Sequence, residues 1–129
     1  MRRTIAGVLL GLAAWVLVVT VLNWGLRLWL PGYAGAEHTL LFTLPMKLAR
    51  LSIAAVTSLA AGAIVRAVAP ASRWAPWLAG LIAVALFLPS HIYLWNKFPL
   101  WYHLTFLLTL APLVALGAAF LARSRPAAA

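Results

Sequence analysis

The side chains of this chain that could do chemistry are few, and they fall at one level of the molecule: Glu37, His38, Lys47, Arg50, His91, Asn96, Lys97 and His103. Its three histidines and single carboxylate could furnish a nitrogen and oxygen metal site, and His91 with His103 on successive helices could hold a haem. Neither arrangement has motif spacing, because no two histidines stand four apart on one helix face. No metal and no cofactor is therefore expected. A lone carboxylate cannot form an acid/base pair, and Ser52, Thr57, Ser58 and Ser90 have no nearby acid to complete a nucleophilic system. No catalytic residue is assigned, and the balance is against an enzyme. What the set suits is binding: Lys47, Arg50, His91 and His103 make a candidate outer pocket for an anion or a lipid headgroup. Glu37, the only acid in the chain, is the expected ion-pair partner of Arg50.

The elements that must position these residues are membrane spans. Of 129 residues, 66% are hydrophobic and the mean hydropathy is +1.03, too apolar to cover the surface of a soluble domain. Four apolar runs, at about 4–22, 44–66, 74–94 and 101–121, match the ~20 residues that a helix needs to cross a bilayer. Thr43-Leu44-Pro45 reads as the N-cap and first turn of the second run. Pro89 should kink the third by freeing the carbonyl of Ala85. Residues 23–42 read as an interfacial connection, broken at Pro31-Gly32 and anchored by Trp24, Trp29 and a snorkelling Arg27. Arg2-Arg3 and the distant Ala34-Gly35-Ala36 resemble parts of a cleaved leader, but the first run is too long for one, so an uncleaved anchor is expected.

The formal charge is +9, yet the cations flank the apolar runs instead of forming a patch, which argues against nucleic acid as a partner. With no cysteine there is no disulfide, thiolate metal site or thiol redox chemistry. Arg2, Arg3, Arg66, Arg73, Arg123 and Arg125 fall at one level, against Arg27, Lys47, Arg50 and Lys97 at the other. That bias puts both termini in the cytoplasm. The expected architecture is all-α: a four-helix antiparallel transmembrane bundle, one integral membrane domain over residues 1–129, multi-pass in a bacterial inner (plasma) membrane. Small residues recur at four-residue spacing at Gly7 and Gly11, at Ala54, Ser58 and Gly62, at Ala75, Ala79 and Ala83, and at Ala111, Ala115 and Ala119, a pattern that lets helices approach closely.

Counted along an ideal helix, Arg50 lies about 24 Å from Arg66 and His91 about 21 Å from Trp77, just inside the outer hydrocarbon boundary. The short connection from Trp95 to Leu100 makes the third and fourth runs antiparallel neighbours, which should bring His91 and His103 together. Since polar residues crowd one face and do not continue through the membrane, the first reading is a small non-catalytic inner-membrane protein in contact with the lipid bilayer. It would be accessory to a larger membrane protein complex or self-associating as a homo-oligomer. The alternatives are a small transporter or channel protomer that binds an anion or lipid headgroup in the outer pocket, and a metal- or haem-binding subunit.

Overall fold

The computed structural model describes residues 1–124; Arg125, counted above with the inner cations, lies outside them. The described residues form five helices and short connections, with no strand among them: α1 (Arg2–Trp29), α2 (Tyr33–Thr39), α3 (Leu44–Val68), α4 (Ala75–Tyr93) and α5 (Leu100–Ser124). Four of the five, α1, α3, α4 and α5, are long and apolar enough to cross a membrane.

Helix boundaries follow local chemistry. α1 does not stop near Leu22 as the hydrophobic run does. Nothing from Asn23 to Trp29 breaks a helix, so it continues until Pro31-Gly32 and reaches 28 residues, about 42 Å. α2 was not legible in the sequence. Gly32, at φ +80°, supplies the left-handed turn that enters it, and Leu40, at φ 59°, closes it. A left-handed leucine costs roughly 1–2 kcal/mol; the Leu40 side chain packs on the cluster of Tyr33, Ala36 and Met46, which offsets that strain. At the start of α3, Thr43 Oγ1 accepts the Met46 N–H at 3.4 Å, and Ser72 Oγ accepts the Ala75 N–H at the start of α4 at 3.1 Å. Each hydroxyl satisfies a donor that the first helical turn leaves unpaired.

The long helices pack side by side, with α3 touching α1, α4 and α5. Where α3 crosses α5 the contact is backbone to backbone. A Cβ on Gly62 would run into the Val114 carbonyl, and one on Gly117 into the Leu59 carbonyl. Ala54, Ser58 and Gly62 on α3 and Ala75, Ala79 and Ala83 on α4 are all buried, but on α5 the close-packed face is Leu110, Ala111, Val114, Gly117 and Ala118. Ala115 and Ala119 turn partly away. The reason is geometric: steps of four overshoot the 3.6-residue turn, and a buried face needs alternate steps of three and four. The small residues are thus occupied by contacts within the chain. Outward faces carry Leu9, Val16, Leu17, Leu86 and Leu108, each more than half exposed.

Candidate functional site

Arg50 is the centre of the polar groups at the end of the molecule that carries α2. It sits two turns into α3, where its Nε donates to Tyr102 Oη at 3.0 Å and its Nη1 to Tyr33 Oη at 2.8 Å. Tyr33, wholly buried, passes its own hydroxyl proton to Asn23 Oδ1 at 2.7 Å. Phe42 and Phe98 lie against the guanidinium, their ring centroids 4.8 and 5.9 Å from Cζ, within cation–π range. One arginine therefore ties together α1, α2, α3 and α5. Neither hydrogen bond uses Nη2.

The expected pair between Glu37 and Arg50 does not form. Glu37 takes Arg27 instead, with Nε to Oε1 at 2.5 Å and Nη2 to Oε2 at 3.0 Å, and accepts a further bond from Asn23 Nδ2 at 3.1 Å. The continuation of α1 past Leu22 is the cause. It sets Asn23 and Arg27 four residues apart on one helix face, and the pair meets α2 as a ready-made clamp for a carboxylate. Arg27 holds the Glu37 carboxyl below its ordinary value, with partial burial working against it and Asn23 adding to it. Burial raises the Tyr33 phenol, opposed by Arg50.

A depressed carboxyl stabilises the folded chain in full above its unfolded value of 4.5, and that contribution disappears as pH falls through the lower folded value. Thermal unfolding on acidification should therefore show a falling limb below the ordinary carboxylate range. Glu37→Gln should start from a lower midpoint at neutral pH and show a flatter limb. Parallel limbs in the two proteins would mean that the clamp contributes nothing.

His91 and His103 meet at the ends of α4 and α5, Nδ1 to Nδ1 at 2.7 Å, and His103 Nε2 faces the Trp95 carbonyl at 3.3 Å. A carbonyl only accepts, so His103 Nε2 carries a proton. With both rings neutral, His103 Nδ1 must then accept from His91 Nδ1–H, which leaves His91 Nε2 with a lone pair. One proton added at the free His91 Nε2 keeps the central bond and turns that nitrogen into a donor. Two added protons would destroy that bond. Trp95 stacks on His103 at 4.8 Å and fixes its plane.

No protein-family model, curated protein or solved structure matches this chain.

Between these groups lies a cavity of about 410 Å³, within the range of small-molecule sites. Arg50, His91 and His103 line it, with Asn23, Glu37 and Tyr102; of the residues named from sequence, Lys47 is not among the lining residues. Lys47 is half-buried on α3, and His38, Asn96 and Lys97 are exposed. Toward the middle of the molecule the wall turns apolar at Trp15, Val19, Phe87 and Phe106. Trp15 packs on Phe87 at 4.6 Å and is pinned by a bond from its Nε1 to Ser58 Oγ at 3.1 Å.

Sequence reasoning missed Asn23, Arg27, Tyr33, Tyr102 and Trp95. The i, i+4 spacing of Asn23 and Arg27 was a signal, but it counts only once the segment is known to be helical. The aromatic residues look like interfacial anchors until their partners are seen.

The only carboxylate is held by Arg27 and Asn23, so no free acid stands beside the histidines to act as a base. Among the described residues, no three His, Cys, Asp or Glu side chains gather to hold a metal. The geometry offers donors to a ligand.

Proposed function

We propose that this chain is a small, non-catalytic polytopic membrane protein that binds an oxyanion-bearing molecule in the cavity beneath α2. It is a four-helix antiparallel transmembrane bundle in a bacterial inner membrane, with both termini in the cytoplasm and the cavity toward the outer face. The observation that carries the reading is Arg50, a guanidinium at the cavity wall whose hydrogen bonds go to neutral phenols while the chain's one carboxylate is claimed elsewhere. A cation at that depth is costly unless it finds a counter-charge, and a bound oxyanion supplies it. The leucine-rich outward faces, the reverse of a soluble protein's surface, support membrane residence.

Binding is tested by thermal unfolding of the protein in neutral detergent with dodecyl phosphate. The midpoint should rise with ligand concentration, as linkage requires, and Arg50→Gln should remove the dependence. A ligand response unchanged by that substitution would overturn the reading. Orientation is tested by fusion reporters: one active only in the cytoplasm should work after Arg123, and one active only outside should work within residues 34–36. The opposite pattern would turn the cavity toward the cytoplasm.

A further inference from the structure

We propose that the occupant of the cavity is a monoanionic phospholipid that enters sideways from the bilayer, between α1 and α4, and sets its phosphodiester on Arg50. The proposal rests on the oxyanion-binding reading and names the class of ligand.

An aromatic roof covers Arg50 from the α2 end. Phe42 stacks on Phe98 at 5.4 Å and Phe98 on Tyr102 at 4.5 Å, and Tyr33, Ala36 and Met46 pack into the same layer, with Leu26, Leu30 and Leu94 against it. Arg50 lies under this layer and does not snorkel past it. The side of the cavity is different. Its exposed rim carries Thr20, Trp24 and the Glu37-paired Arg27 from α1 and Ser90 from α4, on helices that are long and apolar enough to span. An opening between two spans that runs from the interfacial Trp24 and Arg27 down to Thr20 and Ser90 is one a lipid can enter from the bilayer.

The cavity wall is itself amphipathic. Arg50, His91 and Asn23 are at the α2 side, and Trp15, Val19 and Phe87 toward the membrane centre, which is the polarity of a lipid standing in the outer leaflet. Charge narrows the class further. Arg27 is neutralised by Glu37, so Arg50 leaves one net positive charge at the wall, the complement of one phosphodiester. A zwitterionic headgroup would bring an ammonium into the space where the unneutralised Arg50 already disfavours a cation. Nη2 of Arg50, outside both tyrosine bonds, is the donor available to the phosphate, and charge-assisted bonds of this kind are the strong ones.

The test uses the full chain in neutral detergent, with the unfolding midpoint read against dioctanoyl phosphatidylglycerol, dioctanoyl phosphatidylcholine and inorganic phosphate. Phosphatidylglycerol should stabilise the protein, and the other two should not at the same concentration. Arg50→Gln should weaken the phosphatidylglycerol response by about 10- to 100-fold, the scale of a lost charge-assisted bond. Because Arg50 also ties helices together, a variant away from it is needed. Ser90→Trp, on the exposed rim, should keep the ligand-free midpoint and abolish the lipid response by filling the mouth, and Thr20→Trp serves if Ser90→Trp does not fold. Equal stabilisation by inorganic phosphate and phosphatidylglycerol, unaffected by the rim tryptophan, would overturn the lipid assignment and lateral entry while leaving an oxyanion site in place. Equal responses to the two lipids would overturn the monoanionic class. No response to any of the three would overturn the binding reading and this inference together.

Discussion

Replacing Gly62 with alanine should lower the stability of the folded chain by about 3 kcal/mol, the upper end of what overpacking a filled interior does. The added Cβ would stand 2.8 Å from the Val114 carbonyl carbon and 2.9 Å from the Ala118 nitrogen, and closer still to the Val114 oxygen. All of these are backbone atoms of α5. No side-chain rotation relieves the clash, so the helix must move. Gly117→Ala should do the same from the other side, against the Leu59 carbonyl carbon at 2.6 Å. Gly62→Leu should go further and prevent folding. Two controls isolate the cause. Gly25 has nothing within 4 Å of its Cβ position, so Gly25→Ala should leave the midpoint unchanged or raise it through helix propensity. Leu59→Ile conserves volume and should cost less than about 1.5 kcal/mol. Equal midpoints for Gly62→Ala and Gly25→Ala, measured by thermal unfolding in neutral detergent, would mean that α3 and α5 are not in backbone contact.

His103→Ala is expected to have an effect of similar size. The ring is 1% exposed, stacks on Trp95 and makes bonds to His91 and to the Trp95 carbonyl. Its removal opens a cavity and strands the Nδ1 of His91, itself only 8% exposed. Large-to-small changes of this kind cost about 3–5 kcal/mol for an aromatic side chain. His103→Phe separates the two contributions. It restores most of the volume and the stacking and loses only the hydrogen bonds, so its cost should fall to roughly 1–3 kcal/mol. If His103→Phe is as damaging as His103→Ala, the polar network and not the packing holds α4 to α5 at this end. If both are silent, the histidine pair is not a structural feature at all.

The apolar helices were legible in the sequence because a bilayer-length constraint acts on composition, which needs no tertiary information. The meeting of His91 and His103 was legible for a similar reason, since a connection as short as Trp95 to Leu100 leaves the two helix ends no distance to separate. Partnership of charges was not. Whether Glu37 meets Arg50 or Arg27 depends on whether residues 23–29 are helical, and that depends on the stop at Pro31-Gly32 and not on hydropathy. α2 escaped notice because a seven-residue segment with Gly35 and two alanines shows no usable periodicity; what holds it is the burial of Tyr33 and Ala36 and the bonds of Glu37. On α5 the four-residue alanine spacing found Ala111, but Ala115 and Ala119 turn partly away. The closest approach belongs to Gly117, which belonged to no stripe.

Arg50 links α1, α2, α3 and α5, and its role can be read from the distance between its guanidinium and a headgroup phosphorus. In bilayers containing phosphatidylglycerol, carbon–phosphorus dipolar dephasing of protein labelled at arginine Cζ can be compared with that of the Arg50→Lys variant, so that arginines at the membrane surfaces cancel in the difference. The expected result is a strongly dephased signal at a separation of roughly 4–5 Å, the reach of a direct guanidinium–phosphate bond, present in the native chain and missing from the variant. Identical dephasing in the two proteins would contradict the account, for it would leave Arg50 with its two tyrosines and no ligand.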